Sequence, residues 1–570
     1  MLLPRTGLGP SYDFEVPALD VLAERGFADA DGETRLSIFR DLASGELRQP
    51  LRELRSAVLA GFYVRPDEAS AIGYPLPPPP PATPKTIPVE RPTGRIEADV
   101  CVVGSGAGGS VIAAELQQRG LQTVVLEAGG YRNESDFHQL EARAPAELYL
   151  HGGLFYAEGG TIGILGGATL GGGTVINSMV CLRPPDALRR EWAALGLAGV
   201  DDESFDAHVD AVWSRLSAGT EATHPNNVNR LLARTLEQTG RDWHLLARNA
   251  SLDDDPQYCG LCNAGCQRGC KQSTLKTYLQ DAADAGARFV VDCPVQRVLV
   301  RDGAAAGVEA GDLIVDAPIV VVTAGGIESP AILLRSGIGG PQVGRNLSLH
   351  PAFFVTGVHD EPLDGWSGQF QAVATDDFDG FIVECVGTSP ALWASASPLV
   401  DARRHRERML DLPNVAAWHA LIRDHGSGSV ELADGGRTVV RWSLDDPIDR
   451  ENAARAHVEL AKLHQAAGAR EIYTFHWDDV SWRRGEDFDA FLDALERAPH
   501  DHVALSAHQM GTCRLGLDPA TSVADGRGEL HDTRGVWIGD ASAFPTPSGV
   551  NPMITIMALA RRTALAILGE

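Results

Sequence analysis

The amino-acid sequence predicts an α/β fold preceded by a helical extension, and three observations predict it. A buried-strand run, a glycine-rich turn, a helix and a second strand follow one another between 98 and 130. Further short apolar runs at 289–291, 319–323 and 536–538 are scattered along the chain, so one sheet is assembled from distant segments and the stretches between are free to build a second domain. Residues 13 to 75 place apolar side chains at helical spacing, as in FEVPALDVLAERGF and RLSIFRDLA.

The chain has 570 residues, with 76 Asp and Glu against 49 Lys and Arg, a formal charge of −27 that disfavours nucleic acid and anionic membranes as partners. No helical run of about 18 uninterrupted apolar residues occurs, so no membrane span is expected. The opening MLLPRTGLGPSYDFEV lacks the basic and apolar regions of an export signal. With nine cysteines in so long a chain, this points to a cytoplasmic protein whose thiols are reduced or bind metal.

The helical extension ends in GYPLPPPPPATPKTIP, where prolines cannot continue a helix; Pro77–Pro81 therefore reads as an extended linker. Val100–Val103 suits a buried parallel strand. A helix is expected over Ser110–Arg119 and a second strand over Thr123–Leu126. Between them Gly104-Ser105-Gly106-Ala107-Gly108-Gly109 forms a GxGxxG in its proper setting. Gly104 permits the tight turn, Gly106 lets a pyrophosphate approach the backbone, and Gly109 lets helix and strand pack closely. Helix amides add partial positive charge for phosphates. Glu127 ends the second strand where a carboxylate accepts hydrogen bonds from ribose hydroxyls, which argues against the 2′-phosphate of NADP. This fingerprint does not separate NAD from FAD. A second glycine cluster, Gly166 to Ser178, costs backbone entropy unless the chain passes close to a flat group.

The Gly166–Ser178 segment, GGIESPAILLRSGIG at 325–339 and GVWIGDASAFPTPSGVNPMITIMALARR at 535–562 resemble the glucose-methanol-choline oxidoreductases. The resemblance covers 98–570 apart from weakly matching stretches around 186–255 and 355–500. It implies a Rossmann-like FAD-binding domain with a parallel sheet, formed by 95–185, 256–350 and 500–570. An α+β substrate domain with an antiparallel sheet would comprise 186–255 and 351–499, with the helical extension and its linker at 1–82. It also implies FAD rather than NAD. Gly172 and Asn177 then lie where the glycine loop meets the flavin, Val295 where the backbone holds adenine, and Asp540 at the pyrophosphate and ribityl chain. Asn551, Pro552 and Met553 fall at the pyrimidine end of the isoalloxazine. No histidine stands in the 163–178 loop where some members attach FAD, so non-covalent FAD is expected.

In SAHQMGTCRLG, His508 occupies the active-site histidine position of the family, and Asn551 the second position. Oxidising an alcohol requires removal of the hydroxyl proton as hydride leaves the carbon, a task suited to an imidazole with a pKa near neutrality. An amide orients the substrate oxygen but does not readily take the proton, which leaves His508 as the base. His350, in RNLSLHP, matches a family histidine and reads as structural or supporting.

Cys259, Cys262, Cys266 and Cys270 stand in a C-x2-C-x3-C-x3-C run. Four thiolates so close repel one another unless something neutralises them. The spacing is near, but not equal to, a bacterial ferredoxin run, and zinc usually takes two separated pairs. The loop resembles the cysteine-rich stretch of flavin sugar dehydrogenases, where an iron–sulfur cluster relays electrons. It equally resembles that of long-chain alcohol oxidases, for which no cluster is inferred. Iron–sulfur, zinc, disulfide and free thiols stay open. Cys101, Cys181, Cys293, Cys385 and Cys513 lie in apolar runs and read as packing residues. AGFYVRPDEASAIGYPLPPPP resembles the end of the small accessory subunit of membrane-linked gluconate and sugar dehydrogenases, against which stands a plain stabilising extension.

The expected activity is FAD-dependent oxidation of a CH–OH group, with electrons passing to oxygen or, through a cluster, to an acceptor protein or quinone. Apolar residues in WSGQFQAV and CVGTSPALWA suit a greasy pocket and, with the likeness to long-chain alcohol oxidases, point to a hydrophobic alcohol. The alternatives are a sugar or polyol dehydrogenase of the same family and a flavin-containing hydroxynitrile lyase.

Overall fold

The computed structural model describes residues 17–153, 155–160, 162–252, 259–497 and 502–570. Five strands make one parallel sheet in the order Arg288–Val290, Thr123–Leu126, Val100–Val103, Ile319–Val322 and Val536–Ile538. Both faces of the three central strands are covered, so they are apolar throughout rather than alternating. The helix after the glycine turn runs Ala107–Gln118, three residues earlier than expected, because Gly106 serves as its N-cap and the turn closes sooner.

A second sheet of ten strands, chiefly antiparallel, centres on Ala352–Val358, Val415–Ile422 and Phe381–Cys385. Its two faces have different partners. Phe353 and Val355 pack with Ala453, Ala456 and Leu460 of the helix Pro447–Ala466, whereas Ala352 and Phe354 point into a large cavity. Asp446 caps that helix by accepting from the Ile448 and Asp449 amides. Phe155–Tyr156, Ile162–Ile164 and Ala504–Ser506, which fall in stretches the sequence assigns to FAD binding, pair into this second sheet. Ala504–Ser506 thereby runs straight from the sheet into His508.

The N-terminal extension forms the helices Pro17–Glu24, Gly32–Ala43, Arg48–Tyr63 and Pro66–Ala71; its predicted start at 13–16 lies outside the described residues. Leu51 is fully buried among Leu22, Ala43, Leu399 and Trp477, and the Arg55 guanidinium donates to the Ser397 and Pro398 carbonyls at 2.8 and 2.9 Å. The unit is therefore packed on the antiparallel-sheet side. The proline linker is extended and strapped down: Gln267 donates to the Pro78 carbonyl at 3.0 Å, and Asn133 to those of Thr83 and Pro84.

Leu51→Ala removes a fully buried side chain at this junction and is expected to cost about 2–5 kcal/mol. Denaturant unfolding of the full chain checks it, and an unchanged midpoint would show that the extension contributes no stability to the body.

Candidate functional site

A cavity of about 1500 Å³ runs between the two sheets, from the Gly104–Gly106 turn to His508 and Asn551. Gly104 has φ +98°, and a Cβ there would stand 2.5 Å from the Thr323 carbonyl oxygen, so only glycine lets the first strand turn so close to the fourth. Gly109 does not line the cavity; it faces the Gly104 carbonyl and Thr323, where helix and strand meet. Gly172 abuts the turn from the other glycine loop, 2.8 Å from the Gly106 Cα to a notional Cβ. The helix Ala107–Gln118 has no side-chain cap, which leaves its first amides facing the cavity.

Glu127 lines the cavity and stitches the second strand to the turn: it accepts from the Ser105 amide at 3.0 Å, the Ser105 hydroxyl at 2.6 Å and the Gly129 amide at 2.9 Å. Burial pushes its pKa up, against those donors. A carboxylate offers about four lone pairs, so capacity for a further donor remains. Asp540 likewise lines the cavity while accepting from Gly325 N, Ser329 Oγ, Ser542 N and Ser542 Oγ at 2.5 to 2.8 Å. Val295 lines the same end as Glu127.

The far end brings together residues distant in sequence. Asn177 donates to the Met553 sulfur at 3.1 Å, and its carbonyl accepts from Met179 N. Met553 begins the helix Met553–Ile567, whose N-terminus has no side-chain cap and opens on the cavity through Asn551, Pro552 and Met553. His350 links His508 to the Asn551 loop: its Nε2 accepts from Gly549 N at 3.0 Å, and its ring meets that of His508 edge-on at 5.6 Å. Asp424 holds His350 in the left-handed region, φ +44°, by accepting from the Leu349 and His350 amides. The His508 Nδ1 and the Asn551 carbonyl oxygen have no hydrogen-bond partner.

The expectation of a near-neutral His508 is corrected. Burial lowers its pKa to about 4; the Glu384 carboxylate pushes the other way and His419 adds to the lowering. At neutral pH the ring is thus uncharged and carries a lone pair. Sequence reasoning missed Glu384, His419 and Gln371, which line the cavity wall. Glu384 and His419 are cross-strand neighbours, 3.4 Å apart, and Gln371 donates to Glu384 at 2.7 Å. Burial alone would raise the Glu384 pKa, but His419 and Gln371 hold it below the usual carboxylate value. The signal was absent because each of the three stands on a different piece of chain with no motif around it.

The cysteine loop begins beside residues outside the described set, Tyr258 included. None of its cysteines lines the cavity, although Asn263 does. The sulfurs of Cys266 and Cys270 are 3.4 Å apart, while that of Cys262 lies 4.0 Å from Nη2 of buried Arg248. Among the described residues, the four thiols do not come together as a metal-ligating group, and no disulfide joins any of the nine cysteines. What the loop does hold is Lys271. Its buried ammonium donates to the carbonyls of Val175, Asn177 and Cys262 at 2.7 to 3.0 Å, pinning the second glycine loop behind the cavity. Cys101, Cys181, Cys385 and Cys513 are buried and Cys293 half-buried.

Known proteins share this architecture. Residues 145–352 and 424–560, together more than half the chain, match the two GMC oxidoreductase family models, and 99–139 matches an FAD binding domain. A long-chain-alcohol oxidase, FAO1, of Arabidopsis thaliana is 30% identical over 513 residues, 83% of this chain and 66% of its own. The chain thus spans just under two-thirds of the length of that relative. An uncharacterized GMC-type oxidoreductase of Mycobacterium tuberculosis is 34% identical over 490 residues, 82% of this chain and 75% of its own. The crystal structure of pyridoxine 4-oxidase from Mesorbium loti superposes with a TM-score of 0.61 at 19% identity, covering 83% of this chain and 99% of that one. Formate oxidase of Aspergillus oryzae does so at 0.63 and 14%, covering 84% and 99%. The chain belongs to the GMC oxidoreductase family, and FAD is the dinucleotide for its glycine turn.

Because the Glu384 carboxylate raises the His508 pKa, Glu384→Gln is expected to move the imidazole titration below about 4. NMR of the labelled histidine ring reads this; a midpoint unchanged or raised would show that the two groups do not sense one another.

Proposed function

We propose that this GMC oxidoreductase is an FAD-dependent alcohol oxidase that converts a CH–OH group to an aldehyde or ketone. The observation that carries the reading is the pair of unpartnered polar atoms, His508 Nδ1 and Asn551 Oδ1, on residues lining the far end of the FAD cavity from the glycine turn. The residues fit FAD: the cavity is continuous, and two uncapped helix N-termini, at Gly106 and Pro552, open on it at opposite ends. The reading assigns 95–185, 256–350 and 500–570 to FAD binding and 186–255 and 351–499 to the substrate. It keeps Gly104, Gly106, Glu127, Gly172, Asn177, Val295, Asp540 and Met553 as the FAD contacts, with Gly109 as the packing residue beneath them.

Bound FAD supplies the acceptor for the hydride leaving the alcohol carbon. The neutral His508 imidazole takes the hydroxyl proton, and its burial keeps competing water and charge away from that nitrogen. Asn551 presents an amide whose N–H donates to the alcohol oxygen and orients it, while the hydroxyl proton faces His508. His350 is a positioning residue that sets the separation of the two through Gly549. The positive end of the Met553–Ile567 helix favours negative charge at the adjoining end of the cavity.

A hydrophobic alcohol suits the wall formed by Phe354, Val386, Leu392, Trp393 and Phe475. Trp366 and Phe370, which also suggested a greasy pocket, are spent on the core instead. The name of the Arabidopsis relative points the same way. Dioxygen is the proposed final acceptor, as the name of the Arabidopsis relative, an oxidase, suggests. The Glu384–His419–Gln371 trio favours a second reading, an alcohol carrying a further hydroxyl, as in a polyol.

Mixing purified protein anaerobically with long-chain alkanols, aryl alcohols and polyols is expected to bleach the flavin absorbance with the alkanols. Bleaching by polyols alone would favour the second reading, and none with any alcohol would leave the lyase reading. Hydrogen peroxide on readmission of oxygen identifies the acceptor; turnover only with a dye, together with iron and acid-labile sulfide, would restore a cluster. His508→Ala should lower kcat by about 10²–10⁴ with FAD retained. In the wild type kcat/KM should fall as pH drops toward about 4, where the imidazole takes up a proton. Acid precipitation should release the yellow colour, as non-covalent FAD requires.

A further inference from the structure

We propose that His457, His476 and His502 form a structural zinc site behind the antiparallel sheet. The three come from separate pieces of chain. His457 stands on the helix Pro447–Ala466, His476 follows the strand Glu471–Thr474, and His502 precedes the strand Ala504–Ser506. Their ring centroids lie 5.0, 4.7 and 5.2 Å apart, and one ring nitrogen from each falls within 4.8 Å of the others. All three are buried.

Two of the rings have their Nδ1 engaged elsewhere, which leaves Nε2 for the group. The His457 Nδ1 lies 2.8 Å from the Ala453 carbonyl, which only accepts, so Nδ1 carries the proton and Nε2 keeps its lone pair. Nδ1 of His476 is engaged by the Thr474 hydroxyl at 2.5 Å, which turns its Nε2 outward. His464, on the same helix, shows the contrasting structural histidine: its Nε2 lies 3.0 Å from the Val355 carbonyl and its ring stacks on Trp418. Among the described residues it joins no group of three possible ligands.

Three imidazoles without thiolate or carboxylate suit zinc and other late divalent ions rather than calcium or magnesium. Zn–N bonds of about 2.0–2.1 Å place ligand atoms about 3.4 Å apart in a tetrahedron, and the three ring nitrogens already lie within 4.8 Å of one another. Among the described residues no other His, Cys, Asp or Glu joins the group, and a tetrahedral ion takes one further ligand beyond the three imidazoles. The site is separate from the catalytic cavity. Phe353 packs edge-on against His502 at 4.4 Å on the helix-covered face, whereas Ala352 and Phe354 line the cavity on the other. A metal there would pin the helix to the strand that leads into His508.

The test uses the full chain without a polyhistidine tag. Metal analysis after desalting should find about one zinc per chain. Stripping it with a strong chelator should lower Tm, and Co2+ alone added to the stripped protein should give the visible absorption of a tetrahedral site. His457→Gln should lose the metal, whereas Cys266→Ser with Cys270→Ser should keep it. A wild-type protein that holds no metal, gives no Co2+ spectrum and shows the same Tm with and without zinc would overturn the proposal. So would zinc that stays in His457→Gln and leaves with the cysteine variant. Should His457→Gln not fold, the wild-type stripping and Co2+ measurements decide by themselves.

Discussion

A carboxylate taken out of water must be surrounded by donors, and the cavity of this protein is organised around one that is. Asp540, at the end of the fifth parallel strand, accepts four hydrogen bonds from two other places in the chain. Gly325 and Ser329 belong to the helix after the fourth strand; Ser542 belongs to the turn that leads toward Asn551. Strand end, helix start and the loop toward Asn551 are thereby held to one another by a single buried carboxyl group, whose pKa burial raises against these donors. Charge-assisted bonds of this kind are short and directional, so they set position as well as stability. The C-terminal helix that follows and the Asn177–Met553 contact inherit that placement.

The opposite wall answers a different requirement. The second sheet presents one face to a helix and the other to the cavity, and the alternation along Ala352–Val358 divides its side chains accordingly. This wall is apolar apart from Gln371, Glu384 and His419, and burial beside it drives His508 toward the neutral form. Glu384 offsets part of that effect across the cavity, which couples a residue of the sheet to the proton affinity of a residue beyond it. His350 completes the arrangement in a strained backbone conformation, tolerated because Asp424 and Gly549 determine both its main chain and its ring.

The cysteine loop shows how far a motif carries. Its spacing raises the question of metal; what the described residues show is that buried Lys271 hydrogen-bonds three carbonyls and joins the loop to the glycine segment ending at Asn177. Nothing around Lys271 in the sequence marks it, since a lysine beside a cysteine is ordinarily a solvated side chain. The proline linker is similar. Its extended form was legible, because proline excludes helix, but the bonds from Gln267 and Asn133 that strap it down come from residues 49, 50 and 189 positions away.

What the sequence by itself determined is the parallel sheet, its glycine turn and the family. Each rests on local chemistry: apolar runs, glycines that no side chain could replace, or contiguous motifs. What only the tertiary structure decided is the company those residues keep. The lowered pKa of His508, the Glu384–His419–Gln371 wall, the bridge through His350 and the histidine trio at 457, 476 and 502 all arise between segments with no regular separation along the chain. Burial and through-space charge depend on distance in the fold, and no spacing along a sequence encodes that distance.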